Sequence, residues 1–425
     1  MRTRTEKRKS HAVEKFFLMS MVTIMNRKSN SRTIPADSLA IIPFSGYVTD
    51  ASFHFRGRVV EKSGVVRLDP GDTFLQNAWK MWNRFFIQPG RGVTVKVRFG
   101  SMHMMVDTTT QGFFRADLEL RHPADQTPCS VELVNPLPKE PIQAVAPVFF
   151  PQNGARVGII SDIDDTIMYA HATNPLKMIG LLMFSNAATR QPFPGVRAFY
   201  NALHSGKTGS ERNPFFYISS SSWQMYDIIQ DFIDIHGLPR GPIFLRELPF
   251  TGSMKDPWRH GYKLWRIREI LESYPTIPFI LLGDSGQRDV EIYSLIARSF
   301  PGRIPVLYIR DVLPCELRRT RIAEIAAKVK EEGSELVLLN DTISAAAHAA
   351  SKGWIPAESL PGIARDQKPN LPLNSRKETM PLPILRFTTR KGGAHESGWL
   401  GAPVPEHAAG TTCDHTLHDS ERLSL

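Results

Sequence analysis

The sequence predicts a two-part protein, a small all-β sandwich-like domain over residues 34–150 followed by an α/β domain over 151–355 with a parallel sheet flanked by helices. Three observations predict it: period-two alternation in the first part, continuous short apolar runs between helical patterns in the second, and an abrupt change of character near residue 155. Alternation marks a strand with one covered face, whereas a continuous apolar run marks a strand covered on both.

The leader, residues 1–33, sets Arg2, Arg4, Lys7, Arg8 and Lys9 before the short apolar run from Phe16 to Val22. Asn26-Arg27-Lys28 follows where a cleavage site needs small residues, so a secretory signal is not expected. A disordered basic leader is expected, with a basic segment resting on a membrane surface as the alternative. Within 34–150, Val93, Val95, Val97 and Phe99 alternate with Thr94, Lys96 and Arg98. Phe53, Phe55 and Gly57 repeat the pattern, as do Phe114, Ala116, Leu118 and Leu120. Pro70-Gly71 and Pro89-Gly90 punctuate the runs, and one helical interruption is expected around Phe74 to Phe86. No cluster of catalytic residue types occurs here, so the domain reads as structural or recruiting.

The second domain carries apolar runs at Val157–Ile160, Phe215–Ile218, Phe279–Leu282, Val306–Ile309 and Leu336–Leu339. Leu264, Ile267, Leu271 and Tyr274 give the intervening segment after Lys263 a helical stripe. After about residue 356, prolines including Pro361, Pro369 and Pro372 break any sustained period, and a disordered tail is expected over 356–425.

Lysine and arginine number 52 against 42 acidic residues, a net charge of +10 over 425 residues. That suits an anionic partner such as a phosphorylated lipid or membrane surface. No recognition motif or clustered basic helix accompanies it, so a nucleic-acid partner is not expected. Cys129, Cys315 and Cys413 lie far apart without metal-ligand spacing, which argues against a disulfide framework or zinc site and for a cytoplasmic setting. No apolar run approaches the roughly 20 residues of a spanning helix, leaving peripheral contact as the expected membrane relationship.

Chemistry concentrates after the apolar runs. The first ends in Ser161-Asp162-Ile163-Asp164-Asp165-Thr166, and three carboxylates so close together call for a cation or protons. A second ends in Ser219-Ser220-Ser221-Ser222 before a helical pattern starting at Trp223, where hydroxyls and free N–H groups can seat phosphate. Lys263 opens a further helical pattern, and Gly283-Asp284-Ser285-Gly286 follows a third run, with Asp289 beyond. Singly, these are ordinary turns and helix caps.

Taken in order, they resemble the four motifs of haloacid-dehalogenase-like phosphatases. The resemblance narrows to the actin-patch-associated phosphatidate phosphatase catalytic-domain family. It is carried by Val157–Thr166, Pro192–Val196, Asn213–Ser219, Gly241–Arg246, Gly283–Gln287 and Tyr308–Asp311, and it spans roughly 155–350. Ser222–Tyr226 lacks a proline often found there, and Tyr262 stands where many members have a second histidine.

The resemblance implies a haloacid-dehalogenase-like sheet and a set of roles. Asp162 would be the nucleophile and Asp164 the general acid and base, with Ser219 and Lys263 holding the transferring phosphoryl group. Ser220, Thr166 and His260 are candidates for substrate contact, Thr166 alternatively orienting the loop and His260 alternatively serving as a local loop partner. Asp162, the backbone carbonyl of Asp164, and Asp284 would hold Mg2+. Asp165 is expected either to cap a turn or to act directly, and Asp289 either to support the metal ligands or, more simply, to begin a helix at Val290. Phosphatidate is the implied substrate, consistent with gaps too short for a large cap domain and with an apolar flap at Met178–Phe184. The alternatives are a phosphatase for soluble phosphomonoesters or phosphoproteins, and a non-enzymatic adaptor.

Overall fold

In the computed structural model the described residues are 34–65, 76, 80, 83–84, 87–120, 127–150, 152, 154–168, 190–247, 258–312 and 315–367. The alternating segments of the first part become nine strands. They are β1 (Leu39–Pro43), β2 (Gly46–Val48), β3 (Ser52–Glu61), β4 (Thr94–Phe99), β5 (Met102–Asp107), β6 (Phe113–Glu119), β7 (Cys129–Asn135), β8 (Gln143–Ala146) and β9 (Val148–Phe149). One sheet gathers β1, β2, β3, β6 and β9 around the long strand β3, and a second runs β5-β4-β7-β8. Inward-pointing Phe53, Phe55 and Val59 from the first sheet share one core with Val95, Val97, Phe99 and Val131 from the second. This is the burial that the period-two pattern predicts. The helical interruption expected between Phe74 and Phe86 falls largely outside the described residues.

In the second part the apolar runs become strands in one parallel sheet. Along the chain it contains β10 (Gly158–Asp162), α1 (Val196–Ser205), β11 (Phe215–Ser222), α2 (Tyr226–Ile235), β12 (Ile243–Arg246), α3 (Trp258–Ser273), β13 (Phe279–Asp284), α4 (Asp289–Ser299), β14 (Val306–Arg310), α5 (Glu316–Glu331), β15 (Glu335–Leu339), α6 (Thr342–Ser351) and α7 (Leu360–Gln367). The strand order is β12-β11-β10-β13-β14-β15. All five pairings are parallel. Successive residues serve opposite faces, with Ile159, Phe215 and Tyr217 in one core and Ile160, Phe216 and Ile218 in the other. The chain steps outward from β10 to β12 on one side, then returns to place β13 on the other. In such sheets the crevice beyond the carboxyl ends at this reversal is where ligands bind.

Three expectations need correction. Lys263 does not open its helix, which begins five residues earlier at Trp258 and puts Lys263 in its second turn. The described chain does not lose structure at 356, because α7 packs against α1 and α6, burying Ile363. Pro361 does not interrupt that helix, since it sits in the first turn, where a missing N–H costs no helical bond. Cys129 is a free buried thiol. No helix among the described residues is long and apolar enough to cross a membrane. The leader, the flap at Met178–Phe184 and the chain from 368 onward lie outside the described residues.

Candidate active site

Four separated segments meet beyond the carboxyl ends of β10, β11 and β13. Strand β10 delivers Asp162 at its last position, 1 % exposed. Behind it, the Ser161 hydroxyl donates to the Asp162 carbonyl at 2.7 Å and lies 2.8 Å from the Tyr200 hydroxyl. Strand β13 ends with Asp284, fully buried, and α4 begins with Asp289, also fully buried. One carboxylate oxygen from each of Asp162, Asp284 and Asp289 lies within 4.8 Å of the others.

Lys263 enters this acidic group from α3. Its Nζ lies 2.9 Å from Asp162 Oδ1 and donates to Asp289 Oδ1 at 2.6 Å. Three buried carboxylates therefore share one buried ammonium. Desolvation pushes the Asp162 carboxyl well above the ordinary carboxylate range, with Asp289, Asp284 and Asp164 adding to it and Lys263 opposing. Burial, aided by Asp289, raises Asp284 to about 7, against Lys263 and a hydrogen bond from Gln287. Burial works to lower Lys263, but the Asp162, Asp289 and Asp284 charges outweigh it and its pKa is raised.

The donors separate the three acids. Asp284 Oδ1 accepts from the Gly286 and Gln287 N–H groups at 2.7 and 2.9 Å, as expected of a carboxylate locked by its own turn. Asp289 Oδ2 accepts from the Asp284 N–H at 3.4 Å. Asp162 differs: both its oxygens are buried and neither accepts a well-formed hydrogen bond. Its charged partner among the described residues is the Lys263 ammonium, which it shares with Asp289, and three buried acids around one ammonium leave room for a further proton or cation. The oxygen-only donor set fits a hard divalent ion such as magnesium better than a thiophilic metal.

Asp164 is held by the serine strand. Its Oδ2 accepts from the Ser219 and Ser221 hydroxyls at 2.6 and 2.8 Å, and the Ser221 N–H in turn donates to Ser219 Oγ at 2.8 Å. Asp165 takes a left-handed conformation, φ 57°, that closes the turn through its N–H to the Met168 carbonyl at 2.9 Å. Thr166 is buried and its Oγ1 has no hydrogen-bond partner among the described residues, while its carbonyl accepts from Arg310 Nε at 3.2 Å. The Arg310 carbonyl accepts from the Ser285 N–H at 2.8 Å, so one residue ties the first acidic loop to the Asp284 turn.

The structure thus brings together Asp162, Lys263 and Asp284, and sets Asp164 with Ser219 beside them. Ser220 is half-buried and adds no side-chain hydrogen bond to the group among the described contacts, whereas Ser221 does. His260 lies on α3 one turn before Lys263, with its side chain outside the described set. Asp289, expected either to support the metal ligands or to begin a helix, does begin α4 and also pairs with Lys263. Ser221 was passed over, although strand β11 continues through Ser222 and its alternation places residues 219 and 221 on one side.

Gly283 is what lets Asp289 come so close. A Cβ there would sit 2.7 Å from Asp289 Oδ2 and from Tyr293 Cε2. Gly283→Ala is expected to displace Asp289 from Lys263 and to destabilise the protein by about 1–3 kcal/mol through overpacking. Chemical denaturation checks this; an unchanged midpoint would mean that α4 yields without cost.

Comparison with known proteins finds similarity over the part of the chain that holds this site. The description "Phosphatidate phosphatase APP1, catalytic domain" matches residues 157–311. Phosphatidate phosphatase APP1 of Saccharomyces cerevisiae is 34 % identical over 157 residues, covering 36 % of this chain and 26 % of that protein. An uncharacterized protein of Schizosaccharomyces pombe is 27 % identical over 160 residues, covering 37 % and 25 %. The chain thus spans about a quarter of the length of these curated relatives. Among solved structures, a carbohydrate acetylesterase from Xanthomonas citri covers 69 % of this chain and 66 % of its own at 10 % identity, with a TM-score of 0.27, too low for a fold comparison. Asp162, Asp164, Ser219, Lys263, Asp284 and Asp289 all fall inside residues 157–311, the span that is similar to the APP1 catalytic domain.

Proposed function

We propose that the chain is a magnesium-dependent phosphatidate phosphatase built on a haloacid-dehalogenase-like sheet, cleaving phosphatidate to diacylglycerol and phosphate through an aspartyl-phosphate on Asp162. The observation that carries this reading is the buried Asp162 carboxylate, without a well-formed hydrogen bond, at the centre of an excess of negative charge.

Asp162 attacks phosphorus in line; the new O–P bond forms as the ester O–P bond breaks. Asp164, protonated for this step, gives its proton to the leaving glycerol oxygen. It then takes a proton from the water that attacks the aspartyl-phosphate, so that phosphate leaves and both carboxylates return to their starting state. The Ser219 and Ser221 hydroxyls hold the Asp164 side chain for this exchange. Lys263, already beside Asp162, offsets charge on the phosphoryl oxygens as they approach. Magnesium would be held by the carboxylates of Asp162 and Asp284 and the backbone carbonyl of Asp164, supplying the positive charge that lets an anionic nucleophile meet an anionic ester. Ser220, Thr166 and His260 remain candidates for substrate contact. The basic net charge suits a peripheral encounter with an anionic lipid surface from the cytoplasmic side.

The test is phosphate release from phosphatidate in liposomes, with magnesium and with chelator, beside soluble phosphomonoesters. Magnesium-dependent release favouring the liposomes is expected. A clear preference for the soluble esters would reassign the substrate, and a folded protein inert on every phosphomonoester would leave the adaptor reading.

A further inference from the structure

The amino-terminal β domain lies outside the family match, yet it grips the candidate site at two places. The first is the turn that follows the serine strand. The Phe44 ring stacks on Trp223 with centroids 3.9 Å apart and planes at 23°, and lies 4.6 Å from the Tyr226 ring. The Ser45 N–H donates to Tyr226 Oη at 2.8 Å. Arg84 pairs with Asp227 and donates to the Gln224 carbonyl at 3.4 Å. The second is the helix carrying Lys263. Arg115 reaches Glu269 at 2.8 Å on α3, and the hydroxyl of Tyr274, just past its end, donates to the Val48 carbonyl at 2.8 Å.

The first contact falls where the sheet is weakest. Strand β11 pairs with β10 only as far as Ile218, and its pairing with β12 is interrupted between Ile218 and Ser222. Residues 219–221, which supply both hydroxyls on Asp164, therefore have no ladder partner to fix them. Immediately ahead lies Ile218 in the regular sheet; behind lie Ser222, paired with Arg246 of β12, and then Trp223, buried under Phe44. The stretch is a short unpaired span between two sheet pairings, and the residue just past its far pairing, Trp223, packs against the other domain.

We propose that the amino-terminal β domain is a brace for the catalytic site, and that Phe44 is a positioning residue acting through Trp223 on Ser219 and Ser221. This rests on the phosphatase reading for its kinetic consequence, though not for its structural one. A shift of about 1 Å in a catalytic group can cost on the order of a hundredfold in rate.

The test compares Phe44→Ala with Val131→Ala, which opens a cavity in the β domain's own core away from Trp223. With magnesium and phosphatidate in detergent micelles, Phe44→Ala is expected to lower kcat at least about tenfold with little change in KM. Val131→Ala, though destabilised, keeps the wild-type kcat. Hydrogen exchange of the 219–226 amides is expected to quicken in Phe44→Ala alone. If Phe44→Ala does not fold, Tyr226→Phe, which removes the acceptor for Ser45, carries the same two measurements with a smaller loss expected. Wild-type kcat and wild-type protection in the Phe44 or Tyr226 variant would overturn the brace, as would equal losses in Val131→Ala. Should the wild-type protein cleave no phosphomonoester, the phosphatase reading falls and the exchange comparison alone decides: unchanged 219–226 protection overturns the brace, faster exchange in the Phe44 variant alone supports it.

Discussion

Asp162→Asn is expected to reduce phosphate release at least about 10,000-fold, as loss of a nucleophile does, while making the metal-free protein more stable at pH 8. The two halves have separate causes. The amide cannot form the phosphoryl ester, so turnover stops at the first step. Stability moves the other way because the wild-type carboxyl is held above its unfolded value of 3.8 by burial and by its acidic neighbours. A carboxyl raised on folding binds its proton more tightly in the folded state. Its penalty is absent below the unfolded value and grows as pH climbs through the folded one. Asparagine carries no such penalty. Calorimetry in chelator should therefore show the variant melting above wild type at pH 8, with the gap narrowing toward pH 4. A variant that melts lower at pH 8 would remove the charge-excess argument for a metal.

Lys263→Met should do the reverse. Among the described residues, Lys263 is the cation paired with both Asp162 and Asp289. Removing it leaves three buried acids facing one another. Breaking a buried pair in this way typically costs about 3–5 kcal/mol. The loss is largest at high pH, where the acids are ionised, and shrinks as protonation relieves them. Magnesium should restore part of the stability without restoring turnover, because the phosphoryl group still lacks its neighbouring ammonium; a loss of roughly 1,000-fold is expected. Thermal melts with and without magnesium, at pH 8 and pH 5, check both points. A metal-free Lys263→Met protein as stable as wild type at pH 8 would show that the acids are not ionised together.

What the sequence made legible was whatever short-range pattern encodes. Alternation around Val95 and Phe114 marked strands with one covered face, and continuous runs such as Phe279–Leu282 marked the parallel sheet. The polar residues after those runs marked the site, and Asp162, Lys263 and Asp284 converge as expected. What stayed hidden depends on partners distant in the chain. Asp289 carries the local signature of a helix start, and only the fold brings Lys263 to it. Pro361 looks like a breaker until it is seen in a first turn packed on α1 and α6. Phe44 reads as one more apolar residue of a β domain, because nothing nearby announces that its ring faces Trp223.

The sheet order has a consequence for how the protein is made. Strand β10 lies at the middle, yet it is the first strand of its sheet to be synthesised, and both neighbours arrive later. Asp162 therefore leaves the ribosome well before Lys263, and the acids that will crowd around it follow later still. Until α3 has been translated, that part of the nascent chain carries its negative charge in water. Closing the centre of the sheet before then would bury those acids without their ammonium, which favours completion of the site late in biogenesis.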